Sequence, residues 1–245
     1  YKRTEPPGDT WTDRGRHIWN AVYVRQGGGH RKLMLESQEG YLRKYYLPPP
    51  ACLFSFSGTV GNASPMDDLR NIFSLAHRHR IALKLAISPS HAWQWETLAA
   101  AGLWDRWEEW KRKLVAINEE EAARTGAPPF PLFDFSGFDE ISTESVPPIG
   151  DIDSAMRWYF DSSHYTTAVG DLMLDRIYDY KDARRVVPPG FGIRITRENL
   201  EDHLQGIRLA RQRYRESHLS DMAELALHAK HVLANKTCKV LGKHP

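Results

Sequence analysis

The sequence predicts an α/β fold, and three observations carry that reading. A helical pattern over residues 65–80 leads directly into an alternating apolar segment at 81–88. A second apolar segment, 130–135, follows another long helical pattern. Helical stripes then recur after residue 166. Helix, tight connection and buried strand in alternation mark a sheet covered by helices.

Each element has a local cause. Residues 1–52 are rich in Gly, Pro, Arg and Tyr, with Gly27-Gly28-Gly29 and Pro48-Pro49-Pro50 as punctuation. They read as an irregular N-terminal arm in which only 36–46 has helical character. The glycine triplet lacks the Lys-Ser/Thr ending of a phosphate loop. Residues 53–56 read as a short strand. Ser64 is an N-cap, Pro65 suits the first helical position, and Asp67 and Asp68 complement the helix dipole. In 81–88, Ile81, Leu83, Leu85 and Ile87 take one face of a strand, and Pro89 ends it.

Residues 93–125 read as helix with a break at Gly102. Leu103, Trp107, Trp110, Leu114 and Ile117 form its apolar stripe, and Glu108, Glu109, Lys111, Arg112 and Lys113 cover the opposite face. The acidic run Glu119 to Glu121 reads as a solvated face. Gly126 and Pro128-Pro129 stop that helix. A loop at 136–153 separates the second strand from the aromatic run Trp158-Tyr159-Phe160, and a helix over 167–180 comes next. Residues 191–195 are a short extended piece, and Thr196 caps a long helix carrying Leu200, Leu204, Ile207 and Tyr214. A last helix spans about 221–234. The expected organisation is an arm at 1–52, an α/β domain at 53–195 and a C-terminal helical extension at 196–245.

Composition narrows the function classes. The 245 residues carry a net charge of +2 with both signs interspersed, which gives no footprint for nucleic acid. No apolar run is long enough to span a membrane. The chain begins at Tyr1, so signals further upstream are not read from it. Cys52 and Cys238 match no metal spacing. An oxidised pair would fit an extracytoplasmic location, and two unrelated buried thiols are the simpler reading. Eight Trp, ten Tyr and nine Phe suit a buried core, and also the lining of sugar- or acyl-binding clefts.

The chemistry-bearing stretch is Asp161-Ser162-Ser163-His164. On a turn, this spacing lets the Asp carboxylate accept the imidazole Nδ1–H and leaves Nε2 to take a proton. Ligands of open α/β sheets bind at the C-terminal ends of strands, which places Ser88, Ser90 and His91 as a site wall. His77 and His79, two apart on a helix, point apart, and no metal-ligand pattern is found. Asp134, Asp139 and Glu140 offer a carboxylate pair of glycosidase type as a minor alternative. The simplest reading of Asp161 is as the acceptor of its own turn.

Trp158-Tyr159-Phe160-Asp161-Ser162-Ser163-His164-Tyr165, with Gly170 and Leu174 beyond it, resembles the last conserved block of the SGNH (GDSL-type) hydrolases. The likeness extends to residues 81–92 and 102–114, which are similar to bacterial SGNH-like proteins that carry an N-terminal membrane anchor. The resemblance implies a flavodoxin-like three-layer α/β/α fold with a parallel sheet. It also implies a serine esterase or O-acyltransferase acting on acyl, above all acetyl, esters of carbohydrate or cell-envelope polymer, in a periplasmic or extracytoplasmic location. No cofactor is implied. Asp161 would orient His164, the general base. The family's Gly-Asp-Ser nucleophile block is not found; Phe56-Ser57-Gly58 lacks the strand–turn–helix context, and the nucleophile is unassigned. Either the nucleophile strand precedes Tyr1 or the protein is a non-catalytic binding or scaffold relative in envelope polysaccharide assembly. The first is favoured because two or three strands make an incomplete sheet.

Overall fold

The structure is a computed structural model that describes residues 21–48, 54–56 and 64–235. Among these are α1 (Ala21–Gly27), α2 (His30–Gly40), α3 (Pro65–Arg78), α4 (Ala92–Ala100), α5 (Trp104–Thr125), α6 (Thr167–Tyr178), α7 (Leu200–Ser217) and α8 (Leu219–Ala234). The strands are β1 (Leu85–Ile87), β2 (Leu132–Asp134) and β3 (Ile193–Arg194), hydrogen-bonded in that order. The fold is therefore mixed α/β, with far more helix than sheet.

The parallel sheet expected from sequence holds for one pair. β1 and β2 are parallel with Leu85 opposite Leu132 and Ile87 opposite Asp134. β3 runs antiparallel to β2, with Phe133 opposite Arg194, so the sheet is mixed. The reason is the return path: the chain leaves α6 through the 188–190 turn and enters β3 from the opposite end. The strands are also shorter than their apolar runs. Residues 81–84 stay outside the sheet, and Ile81 is exposed. Residues 54–56 are not strand, and Leu53 lies outside the described residues.

Local signals place most helix ends. Ser64 Oγ accepts from Met66 N at 3.2 Å, as its N-cap position requires. Gly102, at φ 73°, separates α4 from α5. α7 starts later than Thr196 suggests: Asn199 is its N-cap position, and Asn199 Oδ1 accepts from Thr196 N at 2.8 Å.

Residues 21–45 differ from the irregular arm that composition predicts. α1 and α2 are joined through Gly28 and Gly29, both at positive φ, and a π-helical turn at Tyr41–Tyr45 extends α2. A side chain on Gly29 would collide with the Asp151 carbonyl, so glycine permits the close approach. Met34 on α2 is fully buried in the main core with Trp93, Phe135, Tyr159, Phe191 and Leu225. α4 sits at the centre, with 92–98 buried on every side. α8 contributes Met222 and Leu225 to the same core.

Candidate functional site

The turn at 161–164 is held out from a short two-stranded neck. Tyr159 and Tyr165 bridge, Phe160 N donates to His164 O at 2.9 Å, and Thr166 N donates to Trp158 O at 2.8 Å. Its base is anchored by distant elements. His91 N donates to Ser162 O at 3.0 Å, and the Ser162 hydroxyl is fully buried between Gln94 Oε1 (2.7 Å) and Ser37 Oγ (2.9 Å). His30 Nδ1 donates to Phe160 O at 3.0 Å, while its Nε2 accepts from Met156 N at 3.1 Å. Both His30 nitrogens are thus assigned by their backbone partners.

Within the turn, Asp161 has its two oxygens in different service. Oδ1 accepts from Ser163 N (2.7 Å), His164 N (2.9 Å) and Ser163 Oγ (3.0 Å). Oδ2 lies 2.8 Å from His164 Nδ1. The contact assigns Nδ1–H as the donor and makes Nε2 the basic atom of a neutral ring. Burial opposes ionisation of Asp161, but the bonds from His164 and Ser163 outweigh it and hold the carboxyl below its usual range. Asp161 in turn raises the His164 imidazole above the ordinary histidine value, against a smaller opposing effect of burial. The Asp161 side chain is 16% exposed and that of His164 58%, so the pair runs from the protein outward. Ser163 Oγ approaches Nδ1 at 3.1 Å, on the nitrogen that faces Asp161. A base of this kind deprotonates a nucleophile through its other nitrogen, so Ser163 is not placed as one.

The strand-end residues divide. His91 is fully buried: Nδ1 accepts from Trp93 N at 3.2 Å, capping α4, and Nε2 donates to Glu144 O at 2.7 Å. Burial lowers its pKa to about 4, so the ring is neutral with both nitrogens engaged. His91 reaches the turn through its backbone. Ser88 is exposed and Ser90 half-buried on the connection between β1 and His91.

Sequence reasoning missed a second polar centre. Lys111 and Asp134 are both buried, with Nζ 2.6 Å from Oδ2, and His203 Nε2 lies 2.9 Å from the same oxygen. Ser136 donates to Oδ1 through both its amide and its hydroxyl. Lys111 and Glu108 therefore do not lie on a solvated face: Glu108 is buried under Arg208 and Arg112. Glu121 is likewise buried and paired with Arg70 and Arg124. The available signal for Lys111 was its place four residues after Trp107, whose ring centroid is 3.5 Å from Nζ.

Among the described residues no group of three His, Cys, Asp or Glu side chains is placed to hold a metal ion, and no helix is long and apolar enough to cross a membrane. Cys52 and Cys238 lie outside the described residues. Compared with known proteins, the chain matches no family model, no curated protein and no solved structure.

Proposed function

We propose that Asp161 and His164 are the acid–base half of an ester-processing site of SGNH type, on a flavodoxin-like α/β architecture. The observation that carries this reading is the 2.8 Å contact between Asp161 Oδ2 and His164 Nδ1. It fixes the tautomer in which Nε2 accepts a proton from a hydroxyl, and the half-buried carboxylate stabilises the imidazolium that results. The nucleophile lies outside the turn. The substrate class is an acyl ester, above all an acetyl ester, of a carbohydrate or cell-envelope polymer, which places the protein outside the cytoplasm. Hydrolysis of an aryl acetate tests the reading: His164→Ala and Asp161→Asn should each lower turnover by about 100-fold or more. Unchanged turnover in His164→Ala would sink it.

A second reading is favoured by a specific observation. Three of the four donors to Asp161 close its own turn through Oδ1. On this reading Asp161 shapes the loop, and the protein is a binding or scaffold protein. It predicts no labelling by a serine-directed fluorophosphonate and a stability loss in Asp161→Ala with none in His164→Ala.

A further inference from the structure

A cleft of about 400 Å³ opens at the C-terminal end of β2. Its walls are residues 134–140, the 188–190 turn and the face of α7 that carries His203, Gly206, Ile207 and Ala210. Neither Asp161 nor His164 lines it, so a ligand held there is independent of whether the turn reacts.

Asp134, at the back of the cleft, is saturated. Lys111 and His203 take one oxygen, and the amide and hydroxyl of Ser136 take the other. That removes it as the nucleophile or acid of a carboxylate pair. Its consequence falls on His203. The Asp134 carboxylate accepts from Nε2, and in the neutral ring this leaves Nδ1 as a hydrogen-bond acceptor. Among the described residues Nδ1 of His203 has no protein partner. A buried Lys–Asp pair carries a large desolvation cost, and here its added bonds orient one half-buried imidazole at a cleft wall.

The rest of the lining points the same way. Asp139 accepts from Ile141 N (2.8 Å) and Ser142 N (3.0 Å) through Oδ1, and the Ser142 hydroxyl also bonds its carboxyl. It has no cationic partner among the described residues, and neither has its exposed neighbour Glu140. Burial pushes the Asp139 carboxyl above its usual range, as expected for a carboxylate that lacks a counter-charge. Among the described residues no arginine or lysine lines the cleft. The cleft therefore offers acceptors and negative charge, which disfavours phosphates and carboxylates and favours donors with positive charge. Phe138, Ile207 and Ala210 supply an apolar side for a carbon skeleton.

We propose that this cleft binds a small ligand bearing a protonated amine, received by His203 Nδ1 and by the carboxylates of Asp139 and Glu140. Three probes share one ring and differ in charge: glucosamine, glucose and glucuronate. Calorimetry should show glucosamine binding, glucose at least about tenfold weaker and glucuronate silent. The amide signals of Gly137, Gly190 and Gly206 should move with glucosamine. Asp139→Asn removes the charge and keeps the turn acceptor; Ala210→Lys sets a cation in the cleft without touching any bonded group. Each should weaken glucosamine by about tenfold. A thermal melt checks that both remain folded, and Ala210→Lys alone decides the matter if Asp139→Asn does not. The proposal is overturned by equal affinity for glucose and glucosamine, by shifts confined to other residues, by binding indifferent to Ala210→Lys, or by no glucosamine binding up to roughly 10 mM.

Discussion

Lys111 Nζ lies 2.6 Å from Asp134 Oδ2, and neither side chain is exposed. The contact is short but poorly aligned as a hydrogen bond, so charge holds it more than direction does. Burial draws the lysine below its ordinary pKa, and Asp134 opposes that. Burial alone would raise the Asp134 carboxyl; Lys111, followed by His203, reverses this and holds it far below the carboxylate range.

Removing one partner leaves the other charged and buried. Lys111→Met should therefore cost about 3–5 kcal/mol, while Lys111→Met combined with Asp134→Leu should recover most of it. Urea denaturation of the three proteins measures this. A double variant as unstable as Lys111→Met would show that the pair adds stability beyond cancelling its own desolvation.

His91 makes stability depend on acid. Its folded pKa of about 4 lies below its ordinary value of 6.5, so the unfolded chain binds the proton more readily. Its contribution is complete above about pH 6.5 and is lost as pH falls toward 4, on the order of 3 kcal/mol over that window. His91→Asn can cap α4 in the same way and does not titrate. The slope of unfolding free energy between pH 6.5 and 4 should flatten in that variant, and an unchanged slope assigns the acid sensitivity to carboxylates.

The two halves of the 161–164 turn should separate in a titration. His164 is raised by Asp161, so its stabilising effect is present below the unfolded pKa and lost as pH rises through the folded one. Asp161→Asn should return the His164 ring signals in an NMR titration toward the ordinary histidine midpoint. A midpoint that does not move would mean that the 2.8 Å contact carries no charge in solution.

Ser162→Ala removes a buried hydroxyl that meets both Gln94 and Ser37. Leaving the Gln94 carbonyl short of a donor should cost about 1–3 kcal/mol. Amide exchange should rise at 161–164 more than in α5, because Ser162 anchors the turn and not the helix. Uniform exchange across the protein would contradict that.

What could be read in advance followed from separation along the chain. The Ser64 cap, the Gly102 break and the Asp161–His164 contact are each settled within three or four residues, and each is visible as a pattern. Asp134 gathers Lys111 from 23 positions upstream and His203 from 69 downstream, as residue numbers show, and no local pattern links the three. Lys111 also sits among charged neighbours on α5, so periodicity assigned it to water. The helices at 21–40 were hidden by Gly and Arg content; His30, Met34 and Gln38 became core through contacts with α4, α8 and the 156–160 segment. The direction of β3 depended on a return path, which a strand of two residues cannot encode.

His30 holds Met156 N and Phe160 O, and Ser37 reaches Ser162, across more than 120 residues in each case. The loop bearing Asp161 and His164 is thus clasped by a helix made long before it in synthesis. Such contacts close large loops in the chain, and closure of that kind is entropically slow. The loop should be among the last parts to lock during refolding, and proteases should find it first when the α2 clasp is loosened.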